Sequence, residues 1–358
     1  MKSVQYDNST PIAAILYSQF IKYDALFRII QHEFQNSNAG VVDIYIDLYQ
    51  FILPIFRCLR IDTGFAISSV IINYCAHFRS FFRTRYGVET NIILVWSSND
   101  SLNNIRYIPE YNTYYRNRMA SNNKIYDTVT DNLQLLNLLV PYLPNIYIKF
   151  GTVEPAVIIK GLIDKKLFNM GRNPSIVIST SQYMYQLPVD QPNCIVIRSK
   201  KDKKDKSDVS YSYNMLTAMT AYILELKNTL VQGTDPRKIA MLMNLIGIPK
   251  RSVKSLCDFK VALEVLATIP PGFEHDPTEL YKSYYNYFLE HKTSRSIISA
   301  EEFANRFMCI DLTMQYNMYK QSPEYASMEF LKDLYDVDTV KQINNTYFTK
   351  DPIDLERL

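Results

Sequence analysis

Arginine and tyrosine residues are interleaved in a polar stretch that runs from Ser97 to about Asn123. Cationic side chains neutralise phosphates and aromatic rings stack on bases, so this combination suits single-stranded nucleic acid. The alternative, in which the tyrosines pack locally and the arginines are solvated, stays open. The residues concerned are Arg106, Arg116 and Arg118, with Tyr107, Tyr111, Tyr114 and Tyr115 between them.

A smaller basic group closes a segment of helical periodicity, where Arg79, Arg83 and Arg85 follow one another at short spacing. The whole chain carries a formal net charge of only +3 over 358 residues. A protein this close to neutrality binds nucleic acid only through a local basic surface. These arginines are therefore candidates for such a surface.

Signatures of several other chemistries do not occur in the sequence. The four histidines form no HxH or HExxH pair, and the five cysteines include no CxxC pair. GxGxxG, GxxxxGK[ST] and GxSxG are also missing, which leaves dinucleotide, P-loop and serine-hydrolase functions without support. Dispersed cysteines in odd number favour a reducing, intracellular compartment.

Apolar runs alternate with helical patterns over the first two thirds of the chain. Helical periodicity is found from Leu48 to Arg60, from Ile67 to Arg85, near Asn132–Val140 and from about Glu154. The alternation predicts an α/β fold with a mostly parallel central sheet flanked by helices. The predicted strands are VVDIYI (41–46), NIILVW (91–96), NIYIKF (145–150), SIVIST (175–180) and CIVIRS (194–199).

The two ends of the chain have a different character. Residues 1–40 predict a helical extension, and the chain beyond Met215 is expected to be entirely helical. The charged run KKDKKDKSD (200–208) is interpreted as the exposed tip of a β-hairpin. No run of eighteen apolar residues and no apolar leader occur, so neither a membrane span nor a signal peptide is expected.

Five segments, taken in order, resemble motifs of the flap-endonuclease (FEN) and 5′-nuclease family, which is PIN-like. They are DIYIDLYQFI (43–52), ILVWSS (93–98) with IRYIPEYNTYYRNR (105–118), TVEPAVIIKGLI (152–163), SIVISTSQYMYQL (175–187) and LVQGTDPRKIAMLMNLIGIPKRSV (230–253). The resemblance implies a FEN/PIN-like core at 41–214 with an arch at about 97–125. It further implies a helix-two-turn-helix-like region at 215–265, followed by a helical C-terminal region at 266–358.

The resemblance also implies a degenerate metal site. Members of this family hold two Mg²⁺ or Mn²⁺ ions with a cluster of carboxylates, which such hard ions prefer. Asp43 and Glu154 match two of these acids, and Asp235 matches a further one. The other positions hold Ser97, Ala156, Ser181 and Tyr183. The expected protein is thus a pseudo-nuclease that has no catalytic residues, no bound metal and no cofactor.

Basic positions of the family are better kept. Arg106, Arg116 and Arg118 match residues near the scissile phosphate and the arch. A second group, Lys250, Arg251 and Lys254, follows the Gly-Ile-Pro turn, where the family contacts duplex backbone. Together with Arg83 these residues form the predicted nucleic-acid-binding set.

The expected function is that of a catalytically inactive FEN-like protein. It would bind DNA or RNA, or act in a viral or phage replication, expression or assembly complex, with protein partners at its N- and C-terminal helical regions. The expected location is the cytoplasm of a host cell or a viral particle. Two alternatives stay open. One is a purely structural scaffold; the other is an active, Mg²⁺- or Mn²⁺-dependent nuclease with a shifted acid cluster of Asp47, Asp100, Asp164 and Asp190.

Overall fold

The structure is a computed structural model, and it describes a defined part of the chain. The described residues are 40–48, 64–97, 133, 136–167, 173–179, 181–191, 194–199, 209–212, 235–248, 253–291, 297–329, 336–347 and 353. The predicted N-terminal extension, nearly all of the predicted arch and the lysine-rich run at 200–208 lie outside them.

Six strands form one sheet, in the order β3-β2-β1-β4-β5-β6. The first five are parallel to one another, and β6 runs antiparallel to β5. This confirms the predicted α/β class, and the β5–β6 pair is the predicted hairpin. The strands are β1 (Val41–Asp47), β2 (Glu89–Ser97), β3 (Ile146–Gly151), β4 (Ser175–Ser179), β5 (Cys194–Ser199) and β6 (Val209–Ser212).

Each face of the central strands packs against its own hydrophobic core. Successive side chains of a strand point to opposite faces, so Ile44 and Ile46 enter one core and Tyr45 enters the other. A parallel sheet covered on both faces needs apolar residues at nearly every position, which is why the strands read as continuous apolar runs. Helix α1 (Gly64–Tyr86) covers the first face, and α2 (Pro155–Asp164) covers the second.

Helix α1 shows how helical spacing fills the first core. Tyr74, Phe78 and Phe82 recur every four residues and their rings lie 5.9 and 5.1 Å apart. All three are almost fully buried. The helix is 23 residues long, but no helix in the described part of the chain is long and apolar enough to cross a membrane.

The chain after β4 is mainly helical and builds a third core. The described helices are α3 (Leu187–Asp190), α4 (Ile239–Ile246), α5 (Phe259–Thr268), α6 (Pro277–Glu290), α7 (Ala300–Met308), α8 (Leu312–Tyr319), α9 (Pro323–Ala326) and α10 (Val337–Tyr347). The expectation of an entirely helical chain beyond Met215 is wrong at one point. There Ile248 and Val253 pair as an antiparallel bridge between α4 and α5.

Candidate functional site at the carboxyl edge of the sheet

The strand order has a topological switch point between β1 and β4. From β1 the chain winds outward to β2 and β3 on one side, and from β4 to β5 on the other. In open parallel sheets the loops diverge at such a switch point, and ligands bind outside the carboxyl ends of the strands. Asp47 ends β1 and Ser179 ends β4. These two residues therefore lie at the position where the topology favours a site.

A short hydrogen-bond chain joins the two strand ends. The Ser179 hydroxyl donates to Asp47 Oδ2 at 2.8 Å, and the Ser181 N–H donates to Ser179 Oγ at 3.0 Å. Asp47 and Ser179 are each only 3% exposed. The carboxylate at the switch point is thus held from β4 by a hydroxyl group.

Asp43 lies elsewhere on the same strand. It is the third residue of β1, four residues before the carboxyl edge, and pairs in register with Asn91 and Ser175. Its Oδ1 accepts hydrogen bonds from Asn91 Nδ2 at 2.7 Å and from Asn173 Nδ2 at 2.9 Å. Burial raises the pKa of the Asp43 carboxyl, against these two hydrogen bonds, which lower it. The register favours Asp47 over Asp43 as the acid at the carboxyl edge.

The four positions without an acid lie near this edge or in the core beneath it. Ser97 ends β2 and Ser181 follows β4. Ala156 lies in the first turn of α2, and it is 1% exposed. Tyr183 belongs to a 3₁₀ helix after β4 and packs in the second core, where it is 2% exposed. The positions that the resemblance assigns to further metal ligands thus hold neutral side chains.

Glu154 is another acid close to this edge. It is the N-terminal capping residue of α2, and its carbonyl accepts from Val157 N at 2.9 Å and from Ile158 N at 3.2 Å. Its side chain is half-buried. The helix begins at Pro155, directly after Glu154, which confirms the predicted helix start. Proline favours this position because its fixed φ suits the first helical residue.

These donors do not fit a pair of divalent cations. Mg²⁺ takes six oxygen ligands, and a two-metal site needs several carboxylates to balance its charge. The described residues contain no group of three or more His, Cys, Asp or Glu side chains that could hold a metal ion. Asp164, one acid of the shifted cluster, lies at the far end of α2 and accepts from Gln191 Nε2. The side chains of Asp100 and Asp190 lie outside the described part.

Asp235 is engaged by a neighbour in sequence. Its Oδ2 lies 2.7 Å from Arg237 Nη2, and its Oδ1 accepts from Arg237 Nε at 3.1 Å. The hydrogen bond from Arg237 lowers the pKa of the Asp235 carboxyl. Arg237 also lies 3.4 Å from Glu274 Oε1. The Asp235 carboxylate therefore stabilises the start of α4 locally.

Arg83 is not brought to the carboxyl edge. It lies near the end of α1, where its Nε and Nη2 donate to the two carboxylate oxygens of Glu89 at 2.7 and 3.0 Å. Glu89 is the first residue of β2, so this pair lies at the amino edge of the sheet. Arg79 is also structural, since its Nη1 donates to the Pro144 carbonyl at 2.8 Å. No local sequence pattern pointed to either contact.

The turn between α4 and α5 is tightly closed. Ile248 N donates to the Val253 carbonyl at 2.8 Å and Val253 N donates back at 3.2 Å. Gly247 has a φ of +75°, and a Cβ atom there would lie 2.5 Å from the Val253 carbonyl oxygen. Lys254 is exposed, and its carbonyl accepts from Arg306 Nη2. Lys250 and Arg251, as well as Arg106, Arg116 and Arg118, lie outside the described residues.

Two side chains that the sequence did not single out connect the helical region to these elements. The Gln186 amide donates from Nε2 to the Ile310 carbonyl at 2.8 Å and accepts from Leu312 N at 3.0 Å. Arg306 Nη2 also donates to the Asn244 carbonyl at 3.3 Å. Both contacts span more than 60 residues of sequence, so no local pattern could have predicted them.

No protein-family model matches the chain, and no curated protein does. Among solved structures, the chain is similar to the D15 protein of T5 co-crystallized with metal ions, with 12% identity, a TM-score of 0.47 and coverage of 80% of this chain and 93% of that one. It is similar to the T5 5′-exonuclease with bound zinc, with 14% identity, a TM-score of 0.48 and coverage of 77% and 90%. It is also similar to the catalytic core of Rad2, with 14% identity, a TM-score of 0.39 and coverage of 87% of each chain. These likenesses assign no residue role and no activity to this chain.

Proposed function

We propose that this chain is a nuclease-like protein that binds nucleic acid at the carboxyl edge of its sheet and does not cleave it by a two-metal mechanism. The observation that carries the proposal is the Ser179–Asp47 hydrogen bond at the switch point. A neutral hydroxyl group, which is a weak ligand for a hard cation, contacts the edge acid Asp47. In this proposal the hydroxyl groups of Ser97 and Ser181, which lie at the end of β2 and after the end of β4, donate hydrogen bonds to a phosphate.

The loss of carboxylates itself favours binding without metal. A cluster of acids repels a phosphodiester unless divalent cations neutralise it, because like charges a few ångströms apart interact unfavourably in a partly buried site. Ser97 and Ser181 are neutral and carry hydroxyl groups that can donate hydrogen bonds, while the Ser179 hydroxyl donates to Asp47. Phosphates can then approach this edge without a bound cation.

Basic residues supply the remaining affinity in this proposal. Each Lys or Arg that contacts a phosphate releases condensed counterions, which makes binding salt-dependent. The tyrosines interleaved with the arginines of the 97–125 segment add stacking for unpaired bases. The residues proposed for phosphate contact are Arg106, Arg116, Arg118, Lys250, Arg251 and Lys254.

The composition supports a viral or phage setting for this activity. The chain contains 28 tyrosines and only 9 glycines, and its tyrosine, isoleucine and asparagine content suits an AT-rich genome. We therefore place the proposed binding activity in a replication, expression or assembly complex of a virus or phage.

Fluorescence anisotropy with labelled flap, duplex and single-stranded substrates tests the binding part. Two charge-reversal pairs, Arg116→Glu with Arg118→Glu and Lys250→Glu with Arg251→Glu, are compared with a matched control. The control is Lys260→Glu with Lys282→Glu, on the exposed surface of α5 and α6.

We expect each test pair to weaken binding and to reduce the slope of log K against log salt by about one to two units, while the control pair changes both far less. Equal losses in all three double variants would mean that only net charge matters. No binding by the unmodified chain would remove the proposed function and direct the search to protein partners.

A further inference from the structure

A carboxylate from the C-terminal region occupies the end of β3. Glu324, in α9, accepts from Thr152 N at 3.1 Å and from Thr152 Oγ1 at 2.6 Å through its Oε2. Its Oε1 accepts from the Tyr319 hydroxyl at 2.9 Å. Thr152 directly follows β3, so this contact lies at the carboxyl edge of the sheet. We call Lys149, Gly151, Thr152 and Tyr319 the β3 cradle.

Gly151 makes the close approach of this anion feasible. A Cβ atom at position 151 would lie 2.6 Å from Glu324 Oε1 and 2.5 Å from the Cδ1 atom of Ile158. Both distances are shorter than real Cβ contacts, so any other residue would displace the carboxylate or the α2 side chain. The cradle is therefore shaped for an anionic oxygen at this point.

Lys149 gives the β3 cradle a positive charge. It lies two residues before Gly151, so both point to the same face of the sheet. Its side chain is half-buried. Burial lowers the pKa of Lys149, whereas the charge of Glu324 raises it. The cradle thus combines a backbone N–H, two hydroxyl groups and a nearby cation.

The segment that delivers Glu324 is anchored through one aromatic residue. Helix α9 has only four residues, none of them fully buried, and Tyr325 packs against the second core with its hydroxyl 3.1 Å from that of Tyr316. Lys165 Nζ donates to the Ala326 carbonyl at 3.1 Å and to the Met328 carbonyl at 3.4 Å, and Met328 itself is fully buried. Segments with few buried contacts open locally at lower free energy than the core does. Glu324 can therefore leave the cradle without unfolding of the sheet.

We propose that the β3 cradle is an anion-binding site of the phosphate class, which the chain's own Glu324 occupies and a nucleic-acid phosphate takes when α9 moves away. Backbone N–H groups, hydroxyls and cations that hold a carboxylate also hold phosphate oxygens. Glu324 then acts as an internal competitor that lowers the affinity of the carboxyl edge for phosphate. The nucleic-acid part of this inference rests on the proposed function; the anion site does not.

Isothermal titration calorimetry with inorganic phosphate tests the anion site in the full chain. The test variant is Glu324→Gln, which keeps the size of the side chain and removes its charge. Glu290→Gln, at an exposed position of α6, loses the same charge elsewhere. We expect Glu324→Gln to bind phosphate about tenfold more tightly than either the unmodified chain or Glu290→Gln. The reason is that a competing occupant lowers the apparent phosphate affinity in proportion to the fraction of molecules whose cradle it fills. Equal phosphate affinities in the two variants would overturn the proposal.

Two further measurements show whether the phosphate binds in the cradle and provide a test if the variant does not fold. Adding Thr152→Val to Glu324→Gln removes a cradle hydroxyl and is expected to abolish the gain; a gain that persists places the phosphate elsewhere. If circular dichroism shows that Glu324→Gln does not fold, hydrogen exchange of the unmodified chain replaces it. Phosphate, at the ionic strength of a chloride control, is then expected to speed exchange in residues 319–328, and identical exchange in the two salts contradicts the proposal.

Binding of a single-stranded oligonucleotide without terminal phosphates distinguishes a site for a backbone phosphodiester from a site for free phosphate. Tighter binding of both phosphate and oligonucleotide by Glu324→Gln supports a cradle that receives a backbone phosphodiester. Tighter phosphate binding with unchanged oligonucleotide binding overturns the nucleic-acid part and leaves a site for a free phosphate. An oligonucleotide that binds neither protein contradicts the proposed function and leaves the anion result standing.

Discussion

The Ser179 hydroxyl donates a 2.8 Å hydrogen bond to the carboxylate of Asp47, between the carboxyl ends of the neighbouring parallel strands β4 and β1. Both residues are buried, at the point where the sheet changes its winding direction. Since Ser179 Oγ also accepts from Ser181 N, the hydroxyl fixes the backbone after β4 and the acid after β1 together. This pair therefore fixes the two strand ends at the switch point of the sheet.

Replacing Ser179 by Ala is expected to destabilise the fold. A buried hydrogen bond to a charged group contributes about 1.5–3 kcal/mol, and Ser179→Ala removes the donor while Asp47 stays buried. Chemical denaturation followed by circular dichroism measures the loss. Ser181→Ala is the control, because the cap of the following 3₁₀ helix uses no Ser181 side-chain bond, and a change within about 0.5 kcal/mol is expected. Equal stability of both variants would contradict the importance of the Ser179–Asp47 bond.

The environment of Asp43 predicts opposite results for two substitutions. Asp43→Ala removes the acceptor of the Asn91 and Asn173 amides and is expected to cost about 1–3 kcal/mol for each of the two donors. Asp43→Asn keeps an acceptor oxygen and removes a buried charge, so the free energy of unfolding at neutral pH is expected to be equal to or higher than that of the unmodified chain. Denaturation of both variants at about pH 7 measures the difference.

The pH dependence provides a further check on Asp43. Burial raises its pKa in the folded state, so the folded protein holds this proton more tightly than the unfolded chain does. The contribution of the Asp43 carboxyl to the free energy of unfolding is fully present below its ordinary pKa of about 3.9. It is lost as the pH rises through the raised pKa of the folded state. The advantage of Asp43→Asn over the unmodified chain is therefore expected to grow with pH across that window and then to level off. An advantage that shrinks with rising pH would show that the hydrogen bonds outweigh burial.

Substitutions at two glycines with positive φ distinguish the effect of backbone strain from that of steric contact. Gly247 has a φ of +75°, and a Cβ atom there would lie within 2.6 Å of backbone atoms of Val253 and Ser255, whereas Gly272 has a φ of +91° and nothing within 4 Å. Gly272→Ala is expected to cost about 1–2 kcal/mol from conformation alone. Gly247→Ala is expected to cost more and to weaken nucleic-acid binding, because the turn that carries Lys254 must shift. A smaller stability loss at position 247 than at 272 would contradict the closed turn.

The strands and the α2 start could be read from the sequence for a physical reason. Strands buried on both faces need unbroken apolar runs, and all five predicted strands are present within two residues of their expected bounds. The charged run at 200–208, flanked by CIVIRS and VSYSYN, predicts the tip of a hairpin, and β5 and β6 do pair antiparallel on its two sides. Local patterns thus determine elements whose burial repeats along the chain.

Contacts between distant segments could not be predicted in the same way. Whether Asp43 or Asp47 lies at the carboxyl edge depends on where β1 ends within a continuous apolar run, which only the pairing with β2 and β4 shows. In the sequence Arg83 is a candidate cation for phosphate, yet in the structure Glu89 accepts hydrogen bonds from its Nε and Nη2 atoms. Glu324 reaches the end of β3 from 172 residues away. Each of these three features depends on tertiary packing, so no local pattern in the sequence predicts it.

The most direct test of the proposed function is a paired binding and cleavage assay on one set of labelled flap, duplex and single-stranded substrates. Binding is measured in a chelator, and cleavage is measured with Mg²⁺ or Mn²⁺, for the unmodified chain, Asp47→Asn and Asp43→Ala. We expect binding without added metal and no metal-dependent cleavage by any of the three proteins. Cleavage that requires Mg²⁺ or Mn²⁺ and disappears in Asp47→Asn would contradict the proposed function and establish an active nuclease with a rearranged acid cluster.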